Sequence, residues 1–167
     1  LSSNPDKAGI VQGLVGTAIL GAIVAVLAFP FGLATAIYLE EYASDTKLTR
    51  FIQINIRNLA GVPSVVYGLL GLSVFVAFMN TLDDKGSGRN ILAGGLTLAV
   101  LVLPIVIITS IEALRAVPNT IREAGYGVGA SRWEVTRQLV IPSAAPGILT
   151  GTVLALSRAL GETAPLI

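Results

Sequence analysis

Residues Ala8–Leu39 read AGIVQGLVGTAILGAIVAVLAFPFGLATAIYL, 32 residues without one Asp, Glu, Lys or Arg. A helix that crosses a bilayer needs only about 20 apolar residues, so this stretch reads as a membrane helix with length to spare. Pro30 predicts a kink in it, because proline removes a backbone donor and crowds the preceding turn. Gly9-x-x-x-Gly13 is either a close-packing face for a neighbouring helix or the ordinary glycine content of membrane helices. The span ends in Tyr38, Glu40, Glu41 and Tyr42. Aromatic residues suit a membrane boundary. Two carboxylates at a helix C-terminus oppose the macrodipole, and point to a partner or a basic patch nearby.

The composition of the whole chain agrees. Apolar residues make up 53% and charged residues 13%, with a mean hydropathy of +0.79, whereas soluble domains carry about 25% charge. From Asp45 to Leu59, Leu48, Phe51, Ile52, Ile56 and Leu59 recur at helical spacing opposite Lys47, Arg50, Gln53 and Arg57. That pattern predicts an amphipathic helix lying along the membrane surface. Gly61-Val62-Pro63 breaks it, and further spans are expected at about 62–80, 91–111 and 143–167 after the first at 8–39. Pro104 lies in the third span, Gly147-x-x-x-Gly151 in the fourth, and Thr81–Asn90 forms a polar loop. The fold class is therefore all-α, a polytopic transmembrane helix bundle forming one domain over 1–167. The chain starts without Met and stops inside an apolar run, and reads as a piece of a longer protein.

The absences restrict function. With no Cys and no His, thiol catalysis, Ser–His relays and the usual nitrogen/sulfur zinc sites are excluded. No basic run, aromatic stacking platform or phosphate loop points to nucleic acid or to ATP bound by this chain. No cofactor or metal is implied. Gly125-x-Gly127-x-x-Ala130 fits a loose dinucleotide pattern, but no strand precedes it, and that pattern carries meaning only inside a βαβ unit.

Between the last two spans lies REAGYGVGASRWEVTRQLVIP, Arg122–Pro142. Thr120-x-x-Glu123 and Ser131-x-x-Glu134 each have the form of a capping box. Gly125, Gly127 and Gly129 lie between, so the segment at about 119–142 reads as helix, glycine turn and second helix, stopping near Pro142. Placing it in the cytoplasm puts Lys47, Arg50, Arg57, Arg115, Arg122, Arg132 and Arg137 on that side and Lys7, Lys85 and Arg89 on the other. That distribution obeys the positive-inside rule.

Within this segment Glu123-Ala124-Gly125, then Gly129 three residues on, then Leu139-Val140-Ile141-Pro142 after nine more, resembles the cytoplasmic signature loop of bacterial ABC-importer permeases. The spacing matches throughout. Gly125, Leu139 and Ile141 depart from the family's Ala, Ile and Leu, and glycine loosens a helix by about 1 kcal/mol relative to Ala. The resemblance implies that Glu123, Ala124, Gly125, Gly129 and Pro142 belong to a coupling helix that docks on an ATPase subunit.

Arg158 and Glu162 stand at i, i+4 in the fourth span. Charges inside a bilayer either face a bundle interior or a wet pathway, or snorkel from near an edge. Arg before Glu is the weaker order for a helical ion pair, which makes helix stability a poor reason for its presence. A guanidinium fork suits a tetrahedral oxyanion. The runs LEEYA, NLAGVPSVVYGLLGL, LTLAVLVLPIVI, EALRAVP and PGILTGTVLALSRALGETAPL together resemble the A-type permease subunit of the phosphate-specific (Pst) ABC importer. That resemblance implies a bacterial inner-membrane bundle of about six helices, of which four are visible here. It implies a pathway through Arg158, Glu162 and Thr163, and no enzymatic activity of the chain's own. The implied partners are a C-type permease, two ATP-binding subunits, a periplasmic phosphate-binding protein and the lipid bilayer. A permease for sulfate, molybdate or tungstate, and a non-conducting membrane scaffold or signalling subunit, are the competing readings.

Overall fold

The computed structural model describes residues 10–82 and 91–162, and every regular element among them is helical. Helix α1 (Ile10–Ile37) forms from the charge-free stretch and runs on through Pro30. It passes into a π-helical turn, Tyr38–Tyr42, that carries both Glu40 and Glu41. Helix α2 (Lys47–Ala60) is started by Thr46, whose hydroxyl accepts the Thr49 N–H at 3.2 Å. It buries none of its residues, and Leu48, Phe51, Ile52 and Leu59 remain exposed, as the amphipathic pattern requires of a surface helix. A bend of 101° separates it from the next helical stretch. That stretch comprises α3 (Ser64–Leu70), a π-helical turn (Gly71–Val76) and α4 (Ala77–Leu82). Tyr67 seals the bend by donating its hydroxyl to the Leu59 carbonyl at 2.9 Å.

Helix α5 (Ile91–Arg115) is apolar on every side and is the central element, as expected of a helix with no polar face. Its buried residues run from Ala93 to Leu114. Gly95 backs onto Ile23 and Gly32 onto Val106, so α1 and α5 run in the same direction. After α5 come α6 (Asn119–Gly127), α7 (Arg132–Val135), a π-helical turn (Thr136–Val140) and α8 (Ile141–Gly161). Gly147 faces Ala113 and Gly151 faces Thr109, so α8 runs antiparallel to α5. Here the glycine pair is a packing face: a Cβ on Gly151 would fall 2.6 Å from the Thr109 Cβ. Gly13 has no neighbouring atom within 4 Å, and Gly9 lies outside the described residues.

One expectation needs correction. The helix does not stop near Pro142. It widens into the π-helical turn and continues through Pro142, the second residue of α8, to Gly161. The rod Arg132–Gly161 is 30 residues long. The stretch expected as a short span at 62–80 qualifies as a crossing together with α2 across the bend, whereas α1, α5 and the rod each qualify alone.

Two apolar clusters stack along the bundle. One joins Val24 and Ala28 to Tyr67, Leu98, Val102, Ala155 and Ala159. The other joins Ala36 and Leu39 to Ile111, Leu114, Val117, Val135, Val140 and Ala144. This second cluster closes the end at which α1 and α5 finish and where the basic residues gather. The positive-inside rule predicts that this end is cytoplasmic. Val128, 84% exposed there, supplies a test in a chain with no native thiol. Val128→Cys should react with a membrane-impermeant maleimide only after the membrane is opened, and Lys85→Cys should react in intact cells. Labelling in the reverse order would invert the orientation.

Candidate functional site

The polar segment after α5 builds a helix pair on the bundle's end. Pro118, with φ −57° and ψ 140°, precedes α6 and starts it at Asn119. Thr120 is thereby already inside the helix, and the expected box between Thr120 and Glu123 is not made. Ser131 does form its box with Glu134. The Ser131 hydroxyl accepts the Glu134 N–H at 3.4 Å, and Glu134 Oε2 accepts the Ser131 N–H at 2.7 Å. Hydrogen bonds from the Ser131 hydroxyl and then its amide hold the Glu134 carboxyl below the ordinary carboxylate range.

Between the two helices the chain turns on Gly129, φ +82°, the one positive φ among the described residues. Gly129 N–H donates to the Tyr126 carbonyl at 2.9 Å and Ala130 N–H to the Gly125 carbonyl at 3.2 Å. This is a Schellman ending, which ties off the last carbonyls of α6. Gly125 has a different task. It is buried in α6, and a Cβ there would lie 2.8 Å from Val135 Cγ2 and 2.9 Å from Leu139 Cδ1. The substitution that loosens the helix is what allows α6 to lie against the following one.

The outward face carries Glu123 and Ala124, with Tyr126, Val128 and Trp133 as exposed apolar groups. Glu123 makes no ion pair among the described residues, and Arg137 stacks 6.0 Å from the Trp133 ring. A surface with a free carboxylate, apolar groups and a rigid two-helix frame is suited to seat in a partner's cleft.

The inward face resolves the anomaly at the end of α1. Arg122 Nη2 donates to Glu41 Oε1 at 2.7 Å, and the two side chains are only 16% and 6% exposed. Arg122 also donates to the Val117 carbonyl at 2.7 Å and the Leu114 carbonyl at 3.0 Å. Beside it Arg115 Nε meets Glu40 Oε2 at 2.9 Å, and Arg132 lies 5.3 Å from the centre of the Tyr42 ring. Sequence reasoning counted these arginines only as positive charges. The available signal was the pair of carboxylates that broke the dipole rule.

Arg158 stands in the last turn of α8, away from the helix pair. Its Nε lies 3.5 Å from Glu162 Oε1, with the side chains 49% and 20% exposed. Ala155 and Ala159 are buried against the bundle, and the Arg158 side chain is half exposed beside them. Sixteen residues separate it from Pro142, about 24 Å along the axis at 1.5 Å per residue. Thr163 lies outside the described residues.

Long apolar helices around a buried central one, ending in a firmly footed surface helix pair, define a multi-pass membrane protein. Residues 28–167 match the family described as "Binding-protein-dependent transport system inner membrane component", and the chain belongs to that family. Similar proteins include "Probable ABC transporter permease protein YqgH" of Bacillus subtilis, 36% identical over 96% of this chain and 52% of the relative. "Phosphate transport system permease protein PstA 1" of Mycobacterium tuberculosis is 38% identical over 95% of this chain and 50% of its own length. "Phosphate transport system permease protein PstC" of Mesorhizobium japonicum is 35% identical over 97% and 56%. The chain thus spans about half the length of the curated relatives it matches. Among solved structures, an inward-facing MetNI methionine ABC transporter aligns with a TM-score of 0.69 at 20% identity, covering 92% of this chain and 68% of the other. That likeness establishes a shared fold.

The packing in the helix pair makes its own forecast. Gly125→Leu should force α6 off Val135 and Leu139, at an overpacking cost on the order of 1–3 kcal/mol. Gly127→Ala, with nothing within 4 Å of the added carbon, should be neutral or slightly stabilising. Thermal denaturation in detergent distinguishes the two. Equal melting temperatures for both variants would mean the helices do not lie together.

Proposed function

We propose that this chain is the membrane-embedded part of an ATP-driven importer of inorganic phosphate, in the place of the A-type permease. The observation that carries this reading is the run of relatives named phosphate transport system permeases, at 35–38% identity over 95–97% of the chain. The A-type place is supported by alignment length as well as by the Ala164-Pro165 ending. PstA relatives align over 159–162 positions, while the PstC alignment runs to 183 and needs insertions beyond a 167-residue chain. The partners in this reading are a C-type permease, two ATP-binding subunits and a periplasmic phosphate-binding protein.

In mechanism, hydrolysis takes place in the ATP-binding subunits. Glu123, Ala124 and Gly129 present the face on which such a subunit seats, Gly125 holds α6 against Val135 and Leu139 behind that face, and Pro142 stands at the start of the crossing helix. Closure of the ATPase pair displaces this face and switches the bundle between outward- and inward-open states. Arg158 offers the anion a planar pair of donors, and Glu162, with Thr163 beyond it, keeps the site from holding the anion too firmly. The weak 3.5 Å contact between Arg158 and Glu162 leaves the guanidinium available to a passing ligand.

Two experiments test the parts separately, both in proteoliposomes with all subunits and loaded binding protein. Glu123→Lys and Gly129→Asp should abolish stimulation of ATP hydrolysis; full stimulation in an intact complex would remove the helix pair from coupling. Arg158→Leu should abolish phosphate uptake at matched abundance. Arg158→Lys should retain a fraction because it keeps charge and loses the fork, and Glu162→Gln should do less harm than Arg158→Leu. Wild-type uptake in Arg158→Leu would take Arg158 out of the pathway.

A further inference from the structure

We propose that Glu41 and Arg122 form an internal lock that makes α6, the end of α1 and the end of α5 move as one body. The proposal rests on the permease reading above and assigns positioning roles to two residues that face away from the docking surface.

The joint between α5 and α6 is short, Ala116–Pro118, and such a joint would ordinarily be free to hinge. Arg122 closes it. From the first turns of α6 it reaches back across the joint to the Leu114 carbonyl before it and the Val117 carbonyl within it, at 3.0 and 2.7 Å. The same guanidinium holds Glu41, 81 positions away in sequence, at 2.7 Å. One planar group with five fixed donors thus ties three elements together, which a lysine could not reproduce. Glu41 reaches it because the π-helical turn Tyr38–Tyr42 presents Glu40 and Glu41 to arginines seven residues apart, Arg115 and Arg122.

A buried ion pair contributes little net stability, because desolvation offsets most of the attraction, but it tolerates few alternative geometries. A contact of that kind suits the root of a lever. Glu123, the next residue, is turned about 100° around the helix and exposed, so docking face and lock stand on adjacent sides of α6. Force applied to the outer face therefore reaches α1 and α5 together, without being absorbed at the joint.

The test uses the complete transporter in proteoliposomes with Glu41→Gln, which keeps size and an acceptor and removes charge, and Glu41→Asp, which keeps charge. Two quantities are read: ATP hydrolysed per phosphate taken up, and amide hydrogen exchange across Leu114–Gly127. In Glu41→Gln, exchange should quicken roughly 10- to 100-fold, as expected from losing one charge-assisted hydrogen bond. ATP consumed per phosphate should rise several-fold, and Glu41→Asp should recover part of both. Unchanged exchange would overturn the lock. A parallel fall of ATPase and uptake, with the ratio fixed, would reduce the pair to a structural contact and overturn its role in transmission. Wild-type vesicles that hydrolyse ATP yet import no phosphate would defeat the substrate reading, while the exchange result would still decide the lock.

Discussion

In hydrocarbon a backbone carbonyl or amide left without a partner costs several kcal/mol, and no water is present to supply one. The whole architecture answers to that constraint. Along the helices it is met internally, and the hydroxyls of Thr97, Thr109 and Thr152 fold back onto carbonyls of their own helices. The breaks after α2, α5 and α6 lie at the water-facing end, where carbonyls lose their i+4 donors and donors of the protein itself replace them. A different device closes each one. Tyr67 covers Leu59 at the bend after α2, Arg122 covers Leu114 and Val117 after α5, and the Gly129 turn ties off α6 with backbone donors. Side chains that look like isolated polar residues are thus placed by the helix ends they complete.

Helix existence was legible because it follows from charge-free runs, and the surface helix α2 because its two faces differ in polarity. The Ser131 box was legible because its elements lie three residues apart in sequence. Its counterpart at Thr120 was misread for a local reason: Pro118, with its fixed φ, starts the helix earlier than the hydroxyl–carboxylate spacing suggests. The ending at Pro142 was misread because the helix continues through the proline just after a π-helical turn, and no composition rule announces such a turn. Glu41 and Arg122 are 81 positions apart, so their pairing is a property of the fold alone. The sequence held only the symptom, two acids where the macrodipole disfavours them.

Gly125 illustrates how a departure from a family pattern becomes intelligible once neighbours are known. By helix propensity it is a defect of about 1 kcal/mol relative to Ala. In place, it admits Val135 and Leu139 within a distance that a Cβ would forbid; Val135 belongs to the buried cluster that reaches Ala36 and Leu114, and Leu139 packs against it. The local loss is exchanged for packing of the helix pair against the bundle. Gly127 and Gly129 have open space around them, and of the two only Gly129, at φ +82°, needs to be glycine for its backbone.

The two polar features of the chain, the helix pair and Arg158, are ends of one object. From Arg132 the helix runs unbroken to Gly161, so 26 residues, about 39 Å of helix axis, separate Arg132 from Arg158. A helix held along its length by Gly147 and Gly151 against α5 cannot slide far without repacking those contacts, because close-packed interfaces shift between discrete arrangements and do not deform smoothly. Motion imposed at α7 is then passed on as tilt or rotation of the whole rod. The π-helical turn Thr136–Val140 is the one widened place along it, and it lies at the end nearest the helix pair with Thr136 and Val140 fully buried. A rod rooted by two fully buried residues at its base and packed by small residues higher up joins the helix pair to the exposed Arg158 side chain as one piece.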